Sequence, residues 1–241
     1  ESVPVDPGGD TLVLDGKGRF LMPGLIDAHW HAYLCCNTMM GLLTEDVSFS
    51  HLTADDVTVL AGDLSWGISL EESLPDFQFI DALPGRKIIL KGNHDYWWGT
   101  ATKMKKFFEA NGIESIDILF NNCFFYGDYA LCGTRGWFYE EARGEAHDRK
   151  IMLREVGRLE TSLKAAGDKM KLVFLHYPPK YLGYECPEIL DLLDAYHVPL
   201  CCYGHIHSRG CRSAFQGMYH DTEFRLLSAD YISFCPRRIL P

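Results

Sequence analysis

Short apolar runs recur along the chain, and polar residues follow each of them. Val57-Thr58-Val59-Leu60-Ala61, Lys87-Ile88-Ile89-Leu90, residues 171–175 and residues 200–203 read as strands buried on both faces, because their apolar positions are continuous. Helical periodicity lies between them. Residues 100–110 form one predicted helix, closed by Asn111-Gly112. Residues 147–166 form the clearest: Met152, Val156, Leu159 and Leu163 fall on one face, and Gly167 stops it. Residues 187–196 make a third, with Pro187 at its start. Residues 121–133 hold two short runs broken by Gly127-Asp128, the pattern of a hairpin, and residues 212–233 alternate like antiparallel strands. Alternating strands and helices imply an α/β fold with a largely buried sheet.

The candidate chemistry sits where the apolar runs end. Gly62-Asp63 follows the first, Gly92-Asn93-His94-Asp95 the second, His176 the third and Gly204-His205-Ile206-His207 the fourth. In open α/β sheets, ligands bind at the carboxyl ends of the strands. A glycine before the polar residue lets the backbone turn sharply and approach an ion. Singly, each element has an ordinary reading. Gly-Asp is a common turn, His176 alone could be a hydrogen-bonded structural residue, and Asn93-His94-Asp95 could be a turn with an Asx cap. A His-x-His pair on a strand puts both rings on one face, which suits a metal but also arises by chance. Four such elements in chain order point to a metal site. Asp, Asn and His are donors for first-row divalent metals, and two ions about 3.5–4 Å apart can share a carboxylate and activate water for in-line attack.

These blocks resemble the second to fifth motifs of the calcineurin-like metallophosphoesterases, from about residue 53 to the C-terminus. Flanking segments add to the likeness: Cys132-Gly133-Thr134-Arg135-Gly136-Trp137-Phe138, His176-Tyr177-Pro178-Pro179 and Leu227-Ser228-Ala229-Asp230-Tyr231. The resemblance implies a two-sheet αββα sandwich and hydrolysis of a phosphomonoester or phosphodiester. It implies two divalent ions, Mn, Fe or Zn. Asp27, His29, Asp63 and His207 would hold one, Asp63, Asn93, His176 and His205 the other, with Asp63 bridging. A single carboxylate between two dications lowers their repulsion, and neutral Asn and His leave net positive charge to bind phosphate. His94 is then a candidate general acid for the leaving oxygen, oriented by Asp95, or else a supporting structural residue. Arg135 is a candidate phosphate contact or a salt-bridge partner. Tyr96-Trp97-Trp98 either wall the pocket or pack in the core.

Composition narrows the class. The chain has 241 residues, 47% hydrophobic and 23% charged, the balance of an ordinary globular domain. No apolar run approaches the ~20 residues needed to span a bilayer, and no basic-then-apolar signal follows Glu1. The formal net charge of -10 argues against a basic nucleic-acid surface. It does not exclude phosphate binding, because metal cations reverse the local field. Nine cysteines, an odd count without a repeated C-x-x-C pattern, fit a reducing cytoplasm. The expected partner is a small phosphoester, with no membrane and no nucleic acid.

The first 52 residues do not follow the same pattern. Gly24-Leu25-Ile26-Asp27-Ala28-His29 has the apolar strand ending in Asp-x-His that a first metallophosphoesterase block needs. Yet residues 18–31, through His29-Trp30-His31, resemble more closely the opening barrel strand of metal-dependent amidohydrolases, with His29 and His31 as paired ligands. An amidohydrolase barrel typically needs about 250 residues, and phosphoesterase motifs occupy the rest of this chain. Residues 1–20 read as an N-terminal extension or hairpin, and residues 21–241 as the catalytic domain, atypical over 21–52. Two rival readings follow: a one-metal chimera without fast turnover, and an amidohydrolase-type C–N hydrolase. If residues 21–26 form the strand beside the one ending at Asp63, Asp27→Ala should remove one metal and most activity, and His31→Ala should do little. Metal content of the two variants checks this, and the reverse result would favour the amidohydrolase-like use of the segment.

Overall fold

The computed structural model describes residues 52–138 and 145–240. The hairpin expected over residues 1–20, the strand expected over 21–26, and Asp27, His29 and His31 lie outside them. A first sheet holds β1 (Val57–Leu60), β2 (Arg86–Ile89) and β3 (Ile116–Ile118) in that order, all parallel. After β4 (Cys123–Tyr126), β5 (Tyr129–Thr134) and β6 (Met170–Leu175), a small ribbon forms from β7 (Lys180–Tyr181) and β8 (Tyr184–Glu185). Then follow β9 (Leu200–Tyr203), β10 (Gly217–Tyr219) and β11 (Thr222–Leu226). The second sheet runs β10-β11-β9-β6-β5-β4. The helices are α1 (Leu74–Ala82), α2 (Ala101–Ala110), α3 (Glu145–Ala165) and α4 (Pro187–Ala195).

Strand pleating sorts these elements into four layers. Successive side chains point to opposite faces, so a continuous apolar strand feeds two cores. Ile88 and Leu90 pack with Leu131, Leu172, Phe174, Leu200 and Cys202 between the sheets. Ile89 points the other way, onto Phe77 and Ile80 of α1 and Met104 and Phe108 of α2. From the second sheet, Val173, Leu175, Cys201 and Tyr203 meet Met152, Leu159 and Leu163 of α3 and Ile189 and Leu193 of α4. The result is the αββα sandwich that the sequence implies. No helix among the described residues is long and apolar enough to cross a membrane.

Several elements differ from the sequence reading. The expectation of antiparallel strands over 212–233 holds only for the β10–β11 hairpin. β11 lies parallel to β9, with Leu226 beside Tyr203, because a 3-10 turn (Ser208–Ser213) and β10 carry the chain back before it re-enters the sheet. The sequence reading also misses α1 and β3. α1 buries only Phe77 and Ile80, and β3 is three residues long, so neither carries a usable period. Lys87, within β2, is buried and caps α1. Its ammonium donates to the carbonyls of Asp81, Leu83 and Gly85 at 3.1, 2.5 and 2.8 Å, groups that the helix end would otherwise leave open.

α3 offers a direct test of the layering. Leu159 is fully buried under the second sheet, whereas Leu153 on the same helix is 50% exposed. Leu159→Ala is expected to cost about 2–5 kcal/mol, and Leu153→Ala less than about 0.5 kcal/mol. Chemical denaturation of the two variants measures both.

Candidate metal centre

Two loops meet at the ends of β1 and β2, and one buried carboxylate joins them. Asp95 Oδ2 accepts N–H bonds from Gly92 (2.6 Å) and Asp63 (2.8 Å), and Oδ1 accepts one from Leu64 (2.8 Å). Burial, and then the neighbouring Asp63 charge, push the Asp95 carboxyl up to about 7 against the pull of those donors. This departs from the expectation that Asp95 orients His94. Both of its oxygens serve the backbone, whereas the Tyr96 hydroxyl lies 3.5 Å from His94 Nδ1.

Glycines make the approach possible. A Cβ on Gly92 would lie 1.9 Å from Asp63 Oδ1. A Cβ on Gly62 would lie 2.6 Å from Gly92 N and 2.7 Å from His176 Nδ1. Asp63 itself adopts a left-handed backbone (φ 56°), and so does His205 (φ 68°). Such conformations persist only where the surroundings hold them, and they cluster at functional sites.

The side chains then converge. Asp63 Oδ1 accepts the His94 N–H at 2.8 Å, and Oδ2 faces His176 Nε2 at 3.4 Å. His176 Nδ1 donates to the Ala61 carbonyl at 2.8 Å, which leaves Nε2 with its lone pair. That nitrogen faces Asn93 Oδ1 at 2.7 Å, and His205 Nδ1 approaches the same oxygen at 3.0 Å. Burial pushes His176 down to about 4, partly offset by Asp63, so its imidazole is neutral at ordinary pH. Asp63, His176 and His205 each present a ligand atom within 4.8 Å of the others. Lone pairs of Asp63 Oδ2, Asn93 Oδ1 and His176 Nε2 around one point, beside a buried carboxylate, fit a divalent cation.

His207 is arranged differently. The His-x-His segment lies beyond β9 and is not strand, since His205 is left-handed, so the two rings do not share a strand face. His207 Nδ1 donates to Asp230 Oδ1 at 2.9 Å, and Ser208 N–H bonds Asp230 Oδ2 at 2.6 Å. Burial raises the Asp230 carboxyl, but the Ser208 N–H and His207 hold it below its ordinary value. His207 lines the same cavity as His176 and His205, a space of about 550 Å³ that continues over Val57, Val59, Leu172 and Phe174. Arg135 faces Glu155 at 3.7 Å and lies over the Trp137 ring at 4.9 Å; its Nε has no hydrogen-bond partner among the described residues. Trp97 is core, while Tyr96 is 61% exposed. The sequence reading missed Asp230 and Trp66, whose indole lies 5.1 Å from the His94 ring. Asp230 stood in a noted segment, but nothing in sequence ties it to His207.

A two-sheet sandwich with an Asp, Asn and His cluster at its strand ends, its Asp63 and His176 buried, defines a metal-binding class. The chain belongs to the calcineurin-like phosphoesterase family, whose sequence profile matches residues 40–209. The match takes in Asp63 to His207 and begins after Asp27 and His29. Among solved structures, the protein of unknown function AQ665 from Aquifex aeolicus is 16% identical, with 78% of this chain and 75% of that one covered and a TM-score of 0.42. TT1561 of Thermus thermophilus is 15% identical, covering 62% and 69%, with a TM-score of 0.41. No curated protein matches the chain.

The contact of Gly92 with Asp63 generates a test. Gly92→Ala should displace the Asp63 carboxylate and lower metal affinity by at least ~10-fold. Isothermal titration with Mn and Zn measures the change, and unaltered affinity would contradict the packing.

Proposed function

We propose that the protein hydrolyses small phosphomonoesters or phosphodiesters with a dinuclear metal centre. The observation that carries this is the convergence of Asp63, Asn93, His176 and His205 at the strand ends of a calcineurin-like phosphoesterase. Those four residues would hold one divalent ion. Asp27, His29, Asp63 and His207 would hold the second. A bound cation supplies the positive charge that takes up phosphate oxygens and acidifies water.

The chain's own groups supply the rest. The His94 N–H fixes the Asp63 carboxylate, and the Ala61 carbonyl fixes the His176 tautomer. Asp230 holds the His207 ring through Nδ1 and so presents Nε2. His94 is the proposed proton donor to the leaving oxygen. Arg135, close enough to His176 to act on its charge, would bring planar donors to a phosphate oxygen. The cytoplasm is the proposed compartment. The described cysteines are free thiols, as in a reducing environment.

A second reading, a one-metal chain without fast turnover, draws on the family match starting at residue 40, beyond Asp27 and His29. Metal analysis beside a panel of chromogenic phosphate mono- and diesters separates the two. Close to two ions per chain with hydrolysis, reduced at least ~100-fold by Asp63→Asn, is the expected result. One ion with slow turnover favours the second reading. Absence of both metal and turnover would overturn the proposal.

A further inference from the structure

Between Asp63 and α1 the chain runs through Leu64-Ser65-Trp66-Gly67-Ile68, and most of this loop is fastened. Leu64 and Ser65 are buried. The Leu64 N–H goes to Asp95, and the Ser65 hydroxyl accepts from Gly67 N–H at 3.1 Å and bonds Asp76. Ile68 N–H donates to Glu72 Oε2 at 2.9 Å, and a Cβ on Gly67 would lie 2.2 Å from Ser73 Oγ. Two apolar side chains of this backbone-fastened loop stay at the surface, Ile68 at 73% and Trp66 at 43% exposure, and only Trp66 carries a ring.

An isolated exposed apolar residue is ordinary surface. Trp66 is not isolated. Its ring lies 5.1 Å from the His94 imidazole, tilted by 35°. Tyr96, 61% exposed, meets the same imidazole edge-on at 6.1 Å and 79°. The backbone N–H of that His94 holds Asp63 Oδ1. Two exposed rings therefore share one imidazole, and the backbone of the same histidine contacts the metal centre. An indole left at the surface forgoes the stabilisation of burial. Held on a fixed loop, it can stack with a flat group at little further entropic cost.

We propose that Trp66 and Tyr96 form the subsite for the leaving side of the ester, and that it selects phosphoesters carrying a planar aromatic group. The inference rests on the phosphoesterase reading, because the leaving group must lie beside His94 for its ring to meet Trp66. The aromatic group can be an aryl ring near the phosphate or a nucleobase carried on a ribose. Both present the same stacking face.

Benzyl phosphate and cyclohexylmethyl phosphate test it. They have primary-alcohol leaving groups of similar size and differ in planarity. Binding to the metal-loaded full chain is read by ligand-observed NMR, independently of turnover. Benzyl phosphate should bind roughly tenfold more tightly than its saturated analogue. Trp66→Leu, which keeps an apolar side chain but no ring, should erase the difference, and Trp66→Phe should keep most of it. Metal content and Tm of each variant establish that the fold persists. Equal affinities in the unsubstituted protein, or a preference that survives Trp66→Leu, would overturn the proposal. AMP against ribose 5-phosphate reports whether the same preference extends to a nucleobase. Turnover is scored separately. A binding preference without turnover of these esters or of the chromogenic panel overturns the leaving-group assignment together with the phosphoesterase reading and leaves only an aromatic-binding surface, whereas hydrolysis of both esters without a preference overturns the subsite alone.

Discussion

The site depends on one buried carboxylate. Asp95 gathers three backbone N–H groups, from Gly92, Asp63 and Leu64, onto two oxygens. Those donors come from two loops that end different strands, so the bonds set the distance between the β1 and β2 termini. Every other feature of the centre inherits that spacing. Gly92 must lack a Cβ because Asp63 comes so near, and His94 reaches the Asp63 carboxylate through its backbone because the loop is drawn in. A carboxylate that ties backbone also rigidifies what it ties. Charge-assisted bonds to backbone N–H are about twice as strong as neutral ones. They are stronger still where water is excluded.

Asp230 repeats the device on the opposite sheet. It bonds the His207 ring and the Ser208 N–H together, just as Asp95 bonds three loop amides. Both carboxylates act on the turns that follow strands. The sandwich supplies rigid strands with apolar side chains on both faces, and these two acids fix how the polar ends turn over. Division of labour follows: packing determines where the strands end, and hydrogen bonds determine where the ligands point.

The layered fold was legible because it is written in long patterns. The helix over Met152 to Leu163 carries many positions, and β6 and β9 are apolar runs buried on both faces, so tertiary context has little to override. α1 and β3 escaped because two or three buried residues make no period. At the candidate centre, the polar residues that follow each apolar run singled out Asp63, Asn93, His176 and His205, which the structure brings together. The sequence reading misjudged how two neighbours act. Asp95 follows His94 directly, which invites the idea that one orients the other, but the turn aims its oxygens at backbone amides 31 and 32 residues away and at Gly92. His205 and His207 invite strand alternation, but a left-handed residue breaks it. Both errors have one origin: near the ends of strands, local geometry is set by contacts between loops distant in sequence. Trp66 was illegible for a related reason, since nothing in its own segment reports that a histidine from the next loop lies against it.

The left-handed backbone at Asp63 carries an evolutionary consequence. That conformation is open to glycine and, among side chains with donor atoms, chiefly to Asn, Asp and His. Glutamate, the other carboxylate, is poorly suited to it. Under the proposed dinuclear centre, position 63 is filtered twice, once by the chemistry of a shared anionic ligand and once by the backbone, and aspartate passes both. A drift to glycine would relax the turn while erasing the ligand. At this one residue, a gain in stability and a loss of activity would be the same mutation.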